Sequence, residues 1–149
     1  MLQVGRDRYD APVTTLARTR SQDRNLGWTL AVAQLLYAAW FAWCAYVTLA
    51  HAADITGHWY LPSRDDAYTA NADIWADWPW ATWIMLTAPM APVVMALSLI
   101  VSAVMFVVSY PRGHRALTMT LIAGAVAALL TLVVSLTPPV QQIIGWVSD

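Results

Sequence analysis

Lysine and glutamate are absent from this sequence: all eight cations are arginine and all nine acids are aspartate. Charged residues make up only 11% of the chain against 59% apolar ones, a balance that excludes a disordered chain and points to a membrane. The net charge of -1 supplies no clustered basic excess, which argues against nucleic acid as a partner. The single cysteine, Cys44, lies inside an apolar run. It permits neither an intrachain disulfide nor a cysteine metal site. A secretory leader carries a short apolar core near the terminus, whereas the first apolar run here follows about 27 polar, Arg-rich residues and is too long for that role.

What is present is three apolar runs, roughly Trp28 to Ala50, Ile84 to Tyr110 and Ala116 to Thr137, each free of Asp and Arg. A hydrocarbon core of about 30 Å takes ~20 helical residues, and runs of this length without alternation are helices. Arg6, Arg8, Arg18, Arg20 and Arg24 precede the first run, and Arg112 and Arg115 sit in the turn "PRGHR" between the second and third. The long loop 51–83 has Arg64 alone against Asp54, Asp65, Asp66, Asp73 and Asp77. The positive-inside rule then puts the N-terminus inside and the loop and C-terminus outside.

The expected fold is an all-α integral membrane protein with three transmembrane helices. It comprises a cytoplasmic tail (1–27), a three-helix domain (28–137) and an interfacial C-terminal tail (138–149). The five-residue turn makes the second and third helices antiparallel neighbours. Pro89 and Pro92 should kink the second near its outer end. Gly124 and Ala128, with Ala123 and Ala127 beside them, form a small-residue stripe that permits close helix approach. In the tail, Val140, Ile143, Ile144 and Val147 follow a helical period, so an amphipathic turn anchored to the outer leaflet by Trp146 is expected. The acidic and basic N-terminal residues fit either a disordered arm or a strap.

The candidate chemistry is sparse. No span carries an ionisable group other than Cys44 and tyrosine, which argues against a lone pump, channel or transporter. Tyr37, Trp40 and Trp43 recur at helical spacing and suit a quinone, pigment or lipid tail, although buried aromatic packing explains them as well. His51, Asp54 and His58 would share one face if the first helix continues far enough. With Asp65, Asp66 or Asp73 they offer ligands for copper, iron or zinc, and solvated loop side chains are the plainer alternative. The stretch "ADIWADWPWATW" places Trp75, Trp78, Trp80 and Trp83 around Asp73 and Asp77. An aromatic belt accounts for one or two such tryptophans. Four with interleaved acids suggest a docking surface that buries its acids against a partner.

This stretch, Asp73-Ile74-Trp75-Ala76-Asp77-Trp78 followed by Trp80, Trp83 and "IMLTAP", resembles the loop before the second helix in the A subunit of the copper membrane monooxygenases, which oxidise methane, ammonia or short alkanes. Asp54-Ile55-Thr56-Gly57-His58 is similar to the Asp-x-x-x-His copper-ligand motif that follows an outgoing helix in the C subunit of the same enzymes. Where that family carries a further His, this chain has Asn71. The likeness covers about a dozen positions in two separate subunits, and the chain is shorter than either. It implies copper in the complex, with Asp54 and His58 as metal ligands.

The sequence thus leads to a small, mainly structural, multi-pass subunit of an inner- or plasma-membrane oxidoreductase complex. Its partners would be other membrane subunits and lipid, docked through Asp73, Trp75, Asp77, Trp78, Trp80 and Trp83. A non-catalytic subunit of a respiratory cytochrome or oxidase supercomplex and a free-standing lipid-binding envelope protein are the alternatives.

Overall fold

A computed structural model of the chain describes residues 11–64, 69, 73–108 and 115–148, with backbone alone over residues 11–24 and at residue 108. It contains α1 (Ala11–Thr56), α2 (Ala81–Thr87), α3 (Ala91–Val108), α4 (Arg115–Ser135) and α5 (Pro138–Ser148), and no strand among the described residues. Two helices are long and apolar enough to cross a membrane: the 32 residues Asn25–Thr56 of α1, and α4 with 21. The bent pair α2 and α3 makes a third if counted as one span. These are the helices of a membrane protein.

Helix α1 begins within the segment expected to be a polar tail and runs past Ala50, because hydropathy marks where a helix meets lipid, not where it starts or stops. No proline lies between Pro12, tolerated in the first turn, and Pro62. Gly57 ends the helix. Its φ of 78° is left-handed, and its N–H donates to Ala53 O at 2.7 Å, the glycine stop that satisfies a terminal carbonyl.

The prolines act as expected: α2 and α3 meet at a 47° bend. Pro89 has no N–H to offer the preceding turn, and Ala91 N–H donates to Ala88 O instead of reaching Thr87 O. The released Thr87 carbonyl accepts the Tyr37 hydroxyl at 2.8 Å. The Thr87 hydroxyl accepts Trp40 Nε1 at 3.0 Å and donates to Trp83 O at 2.6 Å. The carbonyl and the hydroxyl of Thr87 are therefore both satisfied within the protein, as a membrane interior demands. The polar tips of Tyr37 and Trp40 are used in packing.

Helix α4 packs against both α1 and α3. Its buried positions are Leu117, Leu121, Gly124, Ala128, Thr131 and Ser135, alternating steps of four and three. Ala31, Gln34, Phe41, Cys44, Thr48 and Ala52 continue the pattern on α1, and Ala91, Met95 and Ser102 on α3. A repeat of 3.5 residues keeps one seam facing the neighbours. Small side chains in that seam let backbones approach where lipid removes the hydrophobic drive for association. Gly124 is the closest point: a Cβ there would lie 3.1 Å from Ala31 Cα and 2.7 Å from Gln34 Oε1. Ala128 is buried beside it, and Ala123 faces outward.

Gln34 ties the three helices together. Its Nε2 donates to Ser102 Oγ at 2.9 Å and to Ser98 Oγ at 3.2 Å, both on α3, while its Oε1 is buried without a hydrogen-bond partner toward α4. Since Gly27 abuts Leu117 and Leu121, and Ala31 abuts Gly124, α1 and α4 run parallel. The end of α4 at Ser135 is level with residues 42–45 of α1. The last turns of α1 therefore project beyond the bundle, and the loop, α2 and α5 fold around them as a cap.

Candidate functional site

The cap has its own apolar cluster, in which Cys44, Ala52, Ile74, Trp78, Ala81, Ile84, Trp146 and Val147 are buried. His51, in the projecting part of α1, organises it. Its Nε2 lies 2.9 Å from Ile74 O, and its ring stacks on Trp78 at a centroid distance of 4.3 Å with planes 8° apart. Trp78, expected on a docking surface, is only 9% exposed. It is part of the core because His51 covers it.

The two aspartates of the Trp-rich stretch are exposed, and both shape turns. Asp73 Oδ1 accepts Trp75 N–H at 3.1 Å, while its carbonyl accepts Ala76 N–H at 3.2 Å; a side chain that bonds the backbone two residues on is an Asx turn. Asp77 takes a φ of 55°, a left-handed conformation that Asp and Asn tolerate better than other L-residues. Within the chain itself, both aspartates interleaved with the tryptophans have turn roles.

The C-terminal segment forms an amphipathic helix, as its periodicity suggests, but Trp146 does not point to lipid. It is 3% exposed and donates from Nε1 to Thr69 Oγ1 at 2.9 Å. Its partner comes from the loop, 77 residues away in sequence. Helical periodicity identifies an apolar face, not what that face meets, and here it meets the chain itself.

The predicted metal ligands are not brought into a cluster. His51 is engaged with Ile74 and Trp78, Asp54 is exposed near the end of α1, and His58 lies beyond the Gly57 stop, off the helical face. His58 Nδ1 is 3.1 Å from Thr56 O and its ring is 5.4 Å from Tyr60. Among the described residues no group of three or more His, Cys, Asp or Glu side chains is placed to hold a metal ion. Asp54 and His58 alone fall short of the three or four protein donors usual for copper or zinc. Asp65, Asp66 and Asn71 lie outside the described residues, as do Arg6, Arg8 and Arg112.

The exposed rings of the cap lie close to one another. Trp43 meets Tyr46 at 5.9 Å and Trp80 at 6.3 Å, Trp80 meets Trp40 at 6.3 Å, and Tyr46 meets Trp59 at 6.4 Å. These rings form one ridge along α1, joining the loop to the start of α2, with Trp83 59% exposed nearby and Trp75 also outside. The exposed large side chains of α3 and α4 are all aliphatic or methionine. Sequence reasoning found Trp75, Trp80 and Trp83, but not Tyr46 and Trp59, which the reversal at Gly57 brings together. No protein-family model, curated protein or solved structure matches this chain.

Proposed function

We propose that the chain is a non-catalytic membrane subunit that docks partner membrane proteins through the aromatic ridge of Trp43, Tyr46, Trp59, Trp80 and Trp83. The distribution of arginine supports three spans with the N-terminus inside and the cap outside. The observation that carries the docking role is the one-sidedness of the ridge. An aromatic belt satisfies the headgroup zone around the whole perimeter, whereas here the exposed large side chains of α3 and α4 are all aliphatic or methionine and Phe106 is partly buried. Aromatic side chains dominate binding energy where a contact is desolvated, and rings already packed against one another in tilted and edge-on pairs lose little freedom when a partner covers them.

The assembly to test first is a copper membrane monooxygenase, on the strength of the local sequence likeness; a respiratory oxidase complex is second. In either, catalysis belongs to the partners; the respiratory reading needs no metal, and under the monooxygenase reading Asp54 and His58 would bind copper only with further ligands from a partner. Purification from native membranes in mild detergent should bring down stoichiometric membrane partners, identifiable by mass spectrometry, and bound copper if the first assignment holds. Replacing Trp43, Trp80 and Trp83 together by Ala should release them while the purified chain keeps its helicity. A chain that purifies alone, or a triple variant that retains every partner, would overturn the reading. Copper unchanged after His58→Ala excludes the ligand role and leaves the docking role intact.

A further inference from the structure

The aromatic ridge leads to an acid. On α1, Asp54 follows Trp43 by eleven residues, which places it within about 20° of the same helix face and about 16 Å further out. The chain turns back at Gly57 and brings Trp59 to Tyr46 at 6.4 Å, so the rings climb α1 toward this carboxylate. Asp54 is exposed, as are Asp73 and Asp77 in the turns that precede Trp80. None of the three is ion-paired among the described residues. We infer that the ridge and Asp54 together seat the outward end of a partner transmembrane helix that carries an arginine facing Asp54. The inference rests on the docking reading and names the chemistry of the partner.

The change of polarity along the ridge sets what can cover it. Trp43 is level with the end of α4, whose 21 residues span about 31 Å against a hydrocarbon core of about 30 Å. The inner rings therefore lie at the edge of the hydrocarbon, and Asp54 lies beyond it in water. A matching surface is apolar over Trp43 and Trp80 and cationic about three helical turns further out. The outer end of a spanning helix has that gradient.

The acids also decide between occupants. A phospholipid headgroup carries a phosphate, which an exposed carboxylate repels. A second copy of the chain would bring its own loop, with five aspartates against Arg64, onto the first, and like charges in an interface oppose docking. Arginine suits both halves of the surface: its planar guanidinium stacks on Trp and Tyr faces and pairs with both oxygens of a carboxylate, whereas an ammonium offers a point charge. Trp59, 64% exposed, is the ridge ring on this outer side. Because the positive-inside rule makes outward arginines uncommon, this one is an identifying mark of the partner.

The test uses the complex purified from native membranes in mild detergent. With p-benzoylphenylalanine in place of Trp59, irradiation followed by mass spectrometry should find a crosslink to an arginine-bearing peptide at the outer end of one partner span. An exposed ion pair contributes modestly and a like-charge pair costs more, so Asp54→Asn should lower recovery of that partner about two- to fivefold and Asp54→Arg about tenfold or more. Combining Asp54→Arg with replacement of the partner's arginine by Asp should restore recovery, an outcome that copper at Asp54 would not give. A crosslink to lipid, to a second copy or to a peptide without arginine, full recovery with Asp54→Arg, or failure of the swapped pair would overturn the inference. The docking reading survives each of these results as long as the triple tryptophan variant still releases the partner. A chain that purifies alone overturns both.

Discussion

The hydroxyl of Tyr37 donates to the carbonyl of Thr87 at 2.8 Å, supplying from α1 the hydrogen bond that the proline break removes from α2. An aromatic residue that resembles a ligand platform in the sequence is thus a backbone partner in the structure. Tyr37→Phe should leave that carbonyl without a donor and destabilise the bundle by about 1–3 kcal/mol, read as a lower thermal midpoint in detergent. Trp40→Phe should cost less, because the Thr87 hydroxyl keeps its bond to Trp83 O. Equal midpoints for wild type and Tyr37→Phe would show that the carbonyl finds another donor.

Two glycines should respond in opposite ways. At Gly124 a methyl group meets the backbone of Ala31 at 3.1 to 3.2 Å, so Gly124→Ala must push α1 and α4 apart, at a cost of about 1–3 kcal/mol. At Gly27 the nearest atom is the tip of Leu117 at 3.3 Å, which can move. There the gain in helix propensity, about 1 kcal/mol, makes Gly27→Ala neutral or stabilising. Thermal unfolding followed by circular dichroism checks both.

His51 holds the loop to the helix. His51→Ala removes the stack on Trp78 and the contact with Ile74 O, a loss of about 1–2 kcal/mol. The expected signs are faster proteolysis between residues 57 and 80 and a red-shifted tryptophan emission as Trp78 meets water. His51→Phe keeps a ring over Trp78 and should fall between the two. Unchanged proteolysis in His51→Ala would mean that the loop is held elsewhere.

Asp77 occupies a left-handed backbone position. Asp77→Gly should be tolerated, whereas Asp77→Val should destabilise the cap by about 1–2 kcal/mol through backbone strain. Hydrogen exchange of the amides from Asp73 to Ala81 separates the two variants. If the acid served a partner instead, Asp77→Gly would abolish complex formation while leaving exchange unaltered.

The apolar runs and the proline break were legible because both are local properties: continuous hydropathy and a missing backbone donor are visible in a window of a few residues. The small-residue stripe at Gly124 and Ala128 was legible for the same reason. The limits of α1 were not, since a helix carries on through polar residues until something such as Gly57 stops it. Nor was the interior of the cap. There His51 meets Ile74 from 23 residues away and Trp146 meets Thr69 from 77, and in the bundle Gln34 meets Ser102 from 68. The turn roles of Asp73 and Asp77 follow rules that a sequence can express.

Pro138 and Pro139 follow shortly after the end of α4 at Ser135, so the helix cannot lengthen toward the cap. α1 beside it overruns by several turns, but those turns are committed to the cap. On the cap side the chain therefore sets a fixed limit to the apolar thickness it can match. A thicker bilayer would have to thin around it or draw the cap's polar turns toward hydrocarbon, so the protein should favour membranes whose thickness it matches.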